Sequence, residues 1–249
     1  IVPNWNGRAF LSRCVGGLLQ SATEYGAPFE LLLMDDASTD GSAVETAKEF
    51  PDVRLDLQTV NRGFGHTVNR GAELATGDVL VLVNNDLIPR SGFIEHLCRP
   101  FIEADDIYGV SGKTVDWDAG APNHVNMTGA FDEGRLQLRW SDDAEVTPTM
   151  FMQGGSCAVR RDVFLQMGGF HPLYAPAYWE DYDLSYLALK MGFRNVYEPR
   201  AVGSHLGQGS MIRAYGEERV SFFKVRNRLL FLALNITDER LHREFWESL

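Results

Sequence analysis

Polar side chains follow three apolar segments of this sequence, at the points where those segments end. They are Pro3 and Asn4 after the first segment, Asp35 and Asp36 after the second, and Asn84, Asn85 and Asp86 after the third. A carboxylate at position 35 or 36 is suited to accept a hydrogen bond from a base N–H or a ribose hydroxyl. Asp86 is suited to hold a hard divalent cation, because Mg²⁺ and Mn²⁺ take one or two carboxylates together with substrate phosphates and water. The alternative interpretation is that all of these are turn and cap residues at strand ends.

A second group with chemical potential is the run Trp179-Glu180-Asp181-Tyr182-Asp183. Its acids repel one another, which raises the pKa of a carboxyl group unless cations neutralise the charge. A carboxylate with a raised pKa is suited to act as general base toward an alcohol. The rings of Trp179 and Tyr182 are suited to stack on a sugar. The alternative is an acidic first turn that complements the dipole of a helix.

His205, in the segment HLGQGS, is a third candidate, in this case for metal binding. A neutral imidazole binds transition metals well. A lone histidine is more often structural, so this role depends on what lies beside it in the fold.

These residues need a scaffold, and the first hundred residues alternate between strand and helix patterns. The predicted strands cover residues 29–36, 53–58, 78–86 and 107–112, and a helix is predicted after Pro89 with Ser91 as its cap. Strands separated by helices of this length indicate βαβ units and a mostly parallel α/β sheet. Ligands bind outside the carboxyl ends of such strands, so we expect the three polar groups to meet at one crevice.

The alternation stops at residues 113–150, which we interpret as loops or a small irregular subdomain. After it we predict a strand and a helix from Ser156, a helix at Trp179, and one or two short strands over residues 194–205. Two phosphate-binding motifs fail. Val68 stands where a dinucleotide fingerprint needs its third glycine, and Ile107 stands where a P-loop needs its first.

Charge and cysteine content exclude some classes of protein. The chain has 249 residues and a net charge of −11, so it is a poor general binder of nucleic acid, whose affinity comes from Lys and Arg. Its three cysteines form no CxxC pair, which indicates free thiols in a reducing compartment. The first residues resemble a strand already under way, so we expect a piece of a longer protein.

Residues 213–235 form a helix candidate of a different character. Residues 213–243 carry seven Arg or Lys and four acids, a local charge of +3. One interpretation is a core-packed helix with a solvated basic face. The other is peripheral membrane contact, in which Phe222, Phe223, Leu229 and Leu230 enter the interface while the basic residues face anionic lipid.

The ordered series PNWNG, MDDASTDGS, NRGFGHTVNRG, VLVNND, the pair Gly154-Gly155, WEDYDL and HLGQGS resembles the family 2 glycosyltransferases with the GT-A fold. The resemblance covers nearly the whole chain, and it is strongest to bacterial enzymes that add rhamnose or related sugars to surface polysaccharide and lipid-linked acceptors. It implies one GT-A catalytic domain over residues 1–249. Within it, residues 1–112 are expected to form the nucleotide-binding half, 113–212 the acceptor-side half and 213–249 a C-terminal helical segment.

The resemblance also implies roles for single residues. Asp181 matches the catalytic base, Glu180 and Trp179 lie at the acceptor, and Asp86 with His205 matches the site of a divalent metal, Mn²⁺ or Mg²⁺. Asn84 replaces the first aspartate of the family's DxD motif, which lowers the expected metal affinity. The implied nucleotide-sugar contacts are Pro3, Asn4, Asp35, Gly63, Asn69, Asn84 and Asn85.

The implied reaction is a single displacement with inversion at the anomeric carbon. The sugar, hexosyl or deoxyhexosyl, passes from a nucleotide-diphosphate donor to a glycan or lipid-linked acceptor in the cytoplasm, with the inner face of the membrane as the expected place of action. Two alternatives remain. A nucleotidyltransferase needs a Gly-rich basic signature near the first strand, where only Arg8 is found. A non-catalytic nucleotide-sugar binding module has no need of Asp86, Asp181 and His205 together.

Overall fold

The computed structural model describes residues 1–132, 135–205 and 210–247. The segment 206–209 of the HLGQGS motif lies outside the described residues. The strands are β1 (Val2–Asn4), β2 (Leu32–Asp35), β3 (Arg54–Leu57), β4 (Val79–Val83), β5 (Leu87–Pro89), β6 (Ile107–Asp116), β7 (Pro122–His124), β8 (Asn126–Asp132), β9 (Arg135–Ser141), β10 (Thr147–Thr149), β11 (Ser156–Arg160) and β12 (Arg194–His205).

The helices carry the chain between these strands. They are α1 (Leu11–Tyr25), α2 (Ser42–Glu49), α3 (Phe64–Leu74), α4 (Phe93–Cys98), α5 (Pro100–Glu103), α6 (Arg161–Gln166), α7 (Glu180–Lys190), α8 (Ser210–Tyr215), α9 (Glu217–Asn235) and α10 (Glu239–Glu247), with a 3₁₀ turn at Pro172–Tyr174. No helix among the described residues combines the length and the apolarity that crossing a membrane requires.

The central sheet is mostly parallel, as the strand–helix alternation predicts. Its order is β3-β2-β1-β4-β11-β6-β12-β10. The Ile1 amine donates to the Val81 carbonyl at 2.8 Å and the Val83 N–H donates to the Ile1 carbonyl at 3.1 Å, which is the parallel pattern that joins β1 to β4. Along this order only β11 and the edge strand β10 run antiparallel to the others.

The sheet is covered on both faces, because alternate residues of its strands point to opposite sides. Leu33 and Val83 pack with α1 and α4 on one face, while Leu32 and Leu82 pack with α3, α6 and α7 on the other. A third apolar cluster lies beside the sheet, where the β8–β9 hairpin, α9 and α10 meet around Phe231.

Residues 113–150 are more regular than predicted. β6 continues through residue 112, where we placed a boundary between halves, and β7, the β8–β9 hairpin and β10 follow. The prediction of an irregular segment was wrong because many side chains of the hairpin face solvent. A strand is recognised in a sequence by alternating apolar and polar residues. That alternation is lost where polar residues occupy positions on both faces of the hairpin.

Several predicted helices and strands also differ in extent. Residues 213–235 form two helices rather than one, since Gly216 has a φ of 77° and separates α8 from α9. The helix after Pro89 begins only at Phe93, after Gly92, and the Ser91 hydroxyl donates to Glu24 at 3.4 Å instead of capping it. Residues 194–205 form one long strand, so His205 ends β12 instead of following a short strand.

Candidate functional site

A cleft of about 820 Å³ opens at the carboxyl ends of β1 and β4 and reaches across to α7 and α9. Most of the predicted site residues line it, and these are Pro3, Asn4, Gly63, Asn84, Asn85, Asp86, Trp179, Glu180, Asp181 and His205. Asp35 and Asn69 are absent from its walls. The three polar groups at strand ends therefore meet at one crevice with the acidic start of α7, as the topology of a parallel sheet requires.

Asp35 lies beneath the cleft, where it anchors Asn4. The Asn4 amide donates to Asp35 Oδ1 at 2.8 Å, and the Ser38 N–H donates to Asp35 Oδ2 at 2.9 Å. Asn85 in turn donates to Asn4 Oδ1 at 2.7 Å, so one buried chain of hydrogen bonds joins the ends of β1, β2 and β4. A predicted contact of Asp35 with a nucleotide base stays a prediction, because both carboxylate oxygens are already hydrogen-bonded.

Asp36, next along the chain, does line the cleft. Its carboxylate accepts the N–H groups of Arg62 and Gly63, each at 2.8 Å, and burial raises its pKa. Asp36 thereby fixes the loop that leads into α3. The sequence showed both acids of the pair, but only tertiary structure distinguishes the anchoring acid from the cleft acid.

Position 63 requires glycine, because any side chain there would clash with a neighbouring loop. Gly63 has a φ of 89°, and a Cβ there would lie 2.7 Å from the Pro176 carbonyl oxygen. Asn69 has a different place from the predicted one. It clasps the backbone of Phe170, donating to its carbonyl and accepting its N–H, each at 2.8 Å. Its predicted contact with the nucleotide sugar is untested, and Asn69 is not among the residues that line the cleft.

Asp86 and His205 face each other in the cleft, with 3.2 Å between Asp86 Oδ1 and His205 Nε2. The carboxylate raises the pKa of His205 by hydrogen bonding and charge. Asp86 is 6% exposed, so its carboxylate is held largely away from water. Two donor atoms bound at right angles to one metal, about 2.1 Å from it, lie about 3 Å apart. The spacing of the pair therefore fits a divalent cation.

The described residues supply only part of a complete metal shell. Among them, no cluster of three or more His, Cys, Asp or Glu residues is arranged to hold a metal. Asn84, at the first position of the DxD-like sequence, lies against Gly155, where an added Cβ would come within 2.2 Å of its Nδ2. A metal held by Asp86 and His205 therefore needs ligands from a substrate or water, which is usual for Mg²⁺ sites.

Asp181 lines the same cleft as Asp86 and lies in the first turn of α7. The Gly154 N–H donates to its Oδ2 and the Tyr182 N–H donates to its Oδ1, each at 3.0 Å. Desolvation outweighs these hydrogen bonds and raises its pKa to about 6. Glu180 beside it is 6% exposed, and burial together with the Asp181 charge raises its pKa well above the ordinary value. Both carboxyl groups of the pair therefore hold a proton more tightly than an exposed carboxyl group does.

Trp179 precedes this turn in a left-handed backbone conformation, with Tyr178 also left-handed (φ 75° and 79°). Its ring lies 4.5 Å from that of Tyr182 and 5.3 Å from that of Phe231, measured between centroids. The ring is therefore supported from below and lines the cleft with its remaining surface.

The cleft is also lined by two basic residues whose position the sequence did not predict. Lys224 and Arg228 of α9 line the cleft, and Lys224 Nζ lies 5.0 Å from the centre of the Tyr178 ring. The sequence allows two interpretations of this basic segment, a solvated face on a core-packed helix or a lipid-facing surface, and neither places these two cations in the cleft. The sequence signal was present as local positive charge in an acidic chain, but their direction depended on how α9 packs.

Curated proteins with similar sequences act on sugars. An N-acetylglucosaminyl-diphospho-decaprenol L-rhamnosyltransferase of Mycobacterium tuberculosis is 28% identical over 220 residues, which cover 75% of this chain and 69% of the relative. A glucosyl-dolichyl phosphate glucuronosyltransferase of Haloferax volcanii is 27% identical over 146 residues, covering 57% of this chain and 46% of the relative. The match to the second relative thus spans about half of that protein's length.

Solved structures share the fold. GalNAc-T7 with UDP, GalNAc and Mn²⁺ superposes with a TM-score of 0.70 at 19% identity, covering 83% of this chain and 42% of that one. The mannosyltransferase PcManGT from Pyrobaculum calidifontis, with GDP-Man and Mn²⁺, gives 0.65 at 19% identity and covers 100% of this chain and 68% of that one. The predicted GT-A fold class is therefore confirmed.

The sequence model of the family described as Glycosyltransferase like family 2 matches residues 1–230, nearly the whole chain. Because this match covers far more than half of the chain, and the fold agrees with it, the chain belongs to glycosyltransferase family 2.

Proposed function

We propose that the protein transfers a hexosyl or deoxyhexosyl group from a nucleoside-diphosphate donor to an acceptor hydroxyl, with inversion at the anomeric carbon. The observation that carries the proposal is that one cleft is lined both by the carboxylate of Asp181, whose pKa is raised to about 6, and by the Asp86–His205 pair. The family assignment and the nucleotide sugars bound by structural neighbours support the same chemistry.

In the proposed step Asp181 takes the proton of the acceptor hydroxyl. The hydroxyl oxygen bonds to the anomeric carbon while the bond from that carbon to the diphosphate breaks, and the electron pair leaves with the diphosphate. A base with a pKa of about 6 is mostly ionised at pH 7 yet still holds a proton well, which suits general-base catalysis. Gly154 and Tyr182 orient the carboxylate through their N–H groups.

Asp86 and His205 are the residues that would hold a divalent metal on the donor. Bound there, the metal supplies Lewis-acid stabilisation of the departing diphosphate. Asn4 and Asn85 keep the floor of this end rigid through their shared hydrogen bond, so the donor half of the cleft is formed before a substrate binds.

The acceptor is proposed to be lipid-linked. The two curated relatives above carry names of lipid-linked substrates, and the acceptor side of this cleft is edged by α9. Phe222, Val225 and Leu229 are exposed at spacings of three and four along α9, so they form one stripe, which borders the cleft where Val225 lines it with Lys224 and Arg228. Phe223, which we expected in the same interface, instead packs inward. We propose that this stripe touches an anionic membrane surface at the inner face.

The test is the substitution Asp181→Asn, assayed for sugar transfer and for nucleotide binding. The amide retains size but accepts no proton, so we expect transfer to fall by at least about 10²-fold. Binding of UDP or GDP in the presence of Mn²⁺, measured by calorimetry, should stay near wild type. Full transfer activity in this variant would refute the role of Asp181.

The released product separates the alternatives. A glycosyltransferase liberates a nucleoside diphosphate from the sugar donor, a nucleotidyltransferase acting on a nucleoside triphosphate liberates pyrophosphate, and a binding module liberates neither. A screen of nucleotide sugars by thermal shift identifies the donor first, because a ligand that binds the folded state raises the melting temperature.

A further inference from the structure

Asn227 of α9 makes an unusual set of contacts outside the substrate cleft. It is fully buried, and its amide nitrogen lies within hydrogen-bond distance of three backbone carbonyls. These belong to Tyr174 at 2.8 Å, Ala177 at 3.0 Å and Tyr178 at 2.8 Å. All three lie in the segment that runs from the last residue of the 3₁₀ turn to the residue before α7. We call this segment the α7 entry loop (residues 174–179).

The orientation of the Asn227 amide is fixed. Its Oδ1 accepts the Arg226 Nε–H at 2.8 Å, and carbonyls accept only from the nitrogen end. Arg226 also donates to the Ala175 carbonyl of the same loop. Two adjacent residues of α9 therefore bind four carbonyls of the α7 entry loop. The conformation of this loop thus depends on a helix that is distant in the sequence.

The α7 entry loop needs such support because its backbone is strained. Tyr178 and Trp179 are consecutive non-glycine residues with positive φ, a backbone region that non-glycine residues rarely adopt. Such a conformation persists only when its surroundings determine it. On the other side, the Phe64 N–H donates to the Pro176 carbonyl at 3.2 Å, so the loop is held between the donor half and α9.

The loop conformation is transmitted directly to Asp181. The Asp183 N–H donates to the Trp179 carbonyl at 2.9 Å, which makes Trp179 the starting point of the first turn of α7. Asp181 lies inside that turn, and its carboxylate reaches the Gly154 N–H only from this position.

We infer that Asn227 is a positioning residue for sugar transfer, which sets the place and the desolvation of the Asp181 carboxylate through the α7 entry loop. The inference rests on the proposed function for its kinetic consequence. Its structural consequence, a change in the environment of Asp181, is measurable without any substrate.

The titratable neighbours of Asp181 decide how a change should appear. Glu180 and Tyr182 lie on its own helix, and Cys157 lies on β11 across from it. None of these contacts Asn227 directly, so Asn227→Ala changes their charges only through the loop. Loosening the first turn of α7 admits water to Asp181, and hydration of a carboxylate lowers its raised pKa toward the ordinary value.

The experiment compares Asn227→Ala with wild type in two measurements. The first follows the pKa of Asp181 by carbon NMR of ¹³Cγ-aspartate-labelled protein, with its resonance identified as the one missing in Asp181→Asn. We expect the value to fall by about one pH unit. The second measures transfer, where we expect kcat to fall by about 10–100-fold, the acid limb of the pH profile to move to lower pH, and donor affinity to change less than twofold.

The matched control is Asn126→Ala. Asn126 is also a buried asparagine, 3% exposed, and its amide donates to Asp143 and Thr147 rather than to the α7 entry loop. We expect a comparable loss of melting temperature with an unchanged Asp181 pKa and an unchanged acid limb. Arg226→Gln, which removes the bond to Ala175 at the surface of α9, provides a milder second variant and should move the Asp181 pKa in the same direction by less.

An Asp181 pKa within 0.2 of wild type (about the precision of the titration) in Asn227→Ala would overturn the inference. If Asn227→Ala does not fold, an unchanged pKa in Arg226→Gln overturns it instead. Absence of transfer by the wild-type protein with every donor would refute the proposed function alone, because the NMR measurement still decides the role of Asn227.

Discussion

At the scale of single residues, the buried acids around the cleft differ in what they hold. Asp35 and Asp36 are tied by backbone and amide donors and hold loops in place. Asp181 also accepts two backbone N–H groups, and desolvation raises its pKa to about 6. Burial raises the pKa of Asp36 as well, so both of these cleft-lining acids carry the raised pKa that is common at functional sites.

The raised pKa of Asp181 has a cost in stability that depends on pH. Its folded-state pKa of about 6 lies above the ordinary value of 3.8, so the folded protein binds this proton more tightly than the unfolded chain. The associated stability is fully present below pH 3.8 and is lost as the pH rises to about 6. We therefore expect Asp181→Asn to melt at a higher temperature than wild type at pH 8. The difference should shrink toward pH 4, and a difference that grows on acidification would contradict the assignment.

The Asp86–His205 pair predicts a specific loss of metal binding. The Asp86→Asn substitution replaces the carboxylate with a weaker amide ligand and leaves only His205 of the pair, so we expect Mn²⁺ affinity in the presence of UDP or GDP to fall by at least about 10-fold, since losing even a partner that supports a ligand costs that much. Electron paramagnetic resonance of free Mn²⁺ measures this directly. Asp52→Asn, an exposed position remote from the cleft, is the matched control and should bind like wild type.

At the scale of helices and strands, α9 connects the third apolar cluster to the site. Phe231 is fully buried and lies 5.9 Å from Phe151, 5.3 Å from Trp179 and 5.7 Å from Tyr186, between ring centroids. The Phe231 side chain of α9 thus packs against aromatic rings at the start and middle of α7 and against Phe151, which follows β10. The helix that supplies Asn227 is itself held in place by this packing.

Truncation of Phe231 tests that packing. We expect Phe231→Ala to lower the free energy of unfolding by about 3–5 kcal/mol, because the buried ring is replaced by a cavity. Urea unfolding followed by tryptophan fluorescence measures the change. Leu234→Ala on the same helix, at a side chain 51% exposed, should change the free energy by less than about 0.5 kcal/mol. Equal effects of the two substitutions would argue against a core role for Phe231.

At the scale of the whole molecule, the charge distribution is uneven. The chain carries −11 overall, but the segment around α9 is basic and borders the cleft. An acidic body with a basic, partly apolar rim orients toward an anionic surface with that rim first. Under the proposed function, such an orientation would present the cleft to a lipid-linked acceptor.

Vesicle binding tests this orientation. With vesicles containing about one-third anionic lipid, we expect Phe222→Ser with Val225→Ser to lower partitioning at least tenfold, since each buried apolar side chain contributes about 1.5–3 kcal/mol. Co-sedimentation measures it, and added salt should weaken binding further. Ile102→Ser, at a still more exposed apolar side chain on α5, is the control. Wild-type protein that ignores anionic vesicles would refute membrane contact through α9.

The sequence by itself determined the α/β class, the parallel sheet and the meeting of strand-end residues at one crevice. These follow from local patterns, because strand and helix periods are written in neighbouring residues and parallel topology brings carboxyl ends together. The ordered motifs also indicated the family, which the comparison over residues 1–230 confirms.

Only the tertiary structure decided which contacts each residue of the crevice makes. Asp35 and Asp36 are adjacent in sequence, yet one anchors Asn4 below the cleft and the other fixes the Gly63 loop in its wall. Asn69 proved to clasp Phe170, and Asn227 proved to bind a loop about 50 residues away. Such roles depend on long-range packing and on which lone pairs other groups already occupy, and no local pattern in the sequence records either.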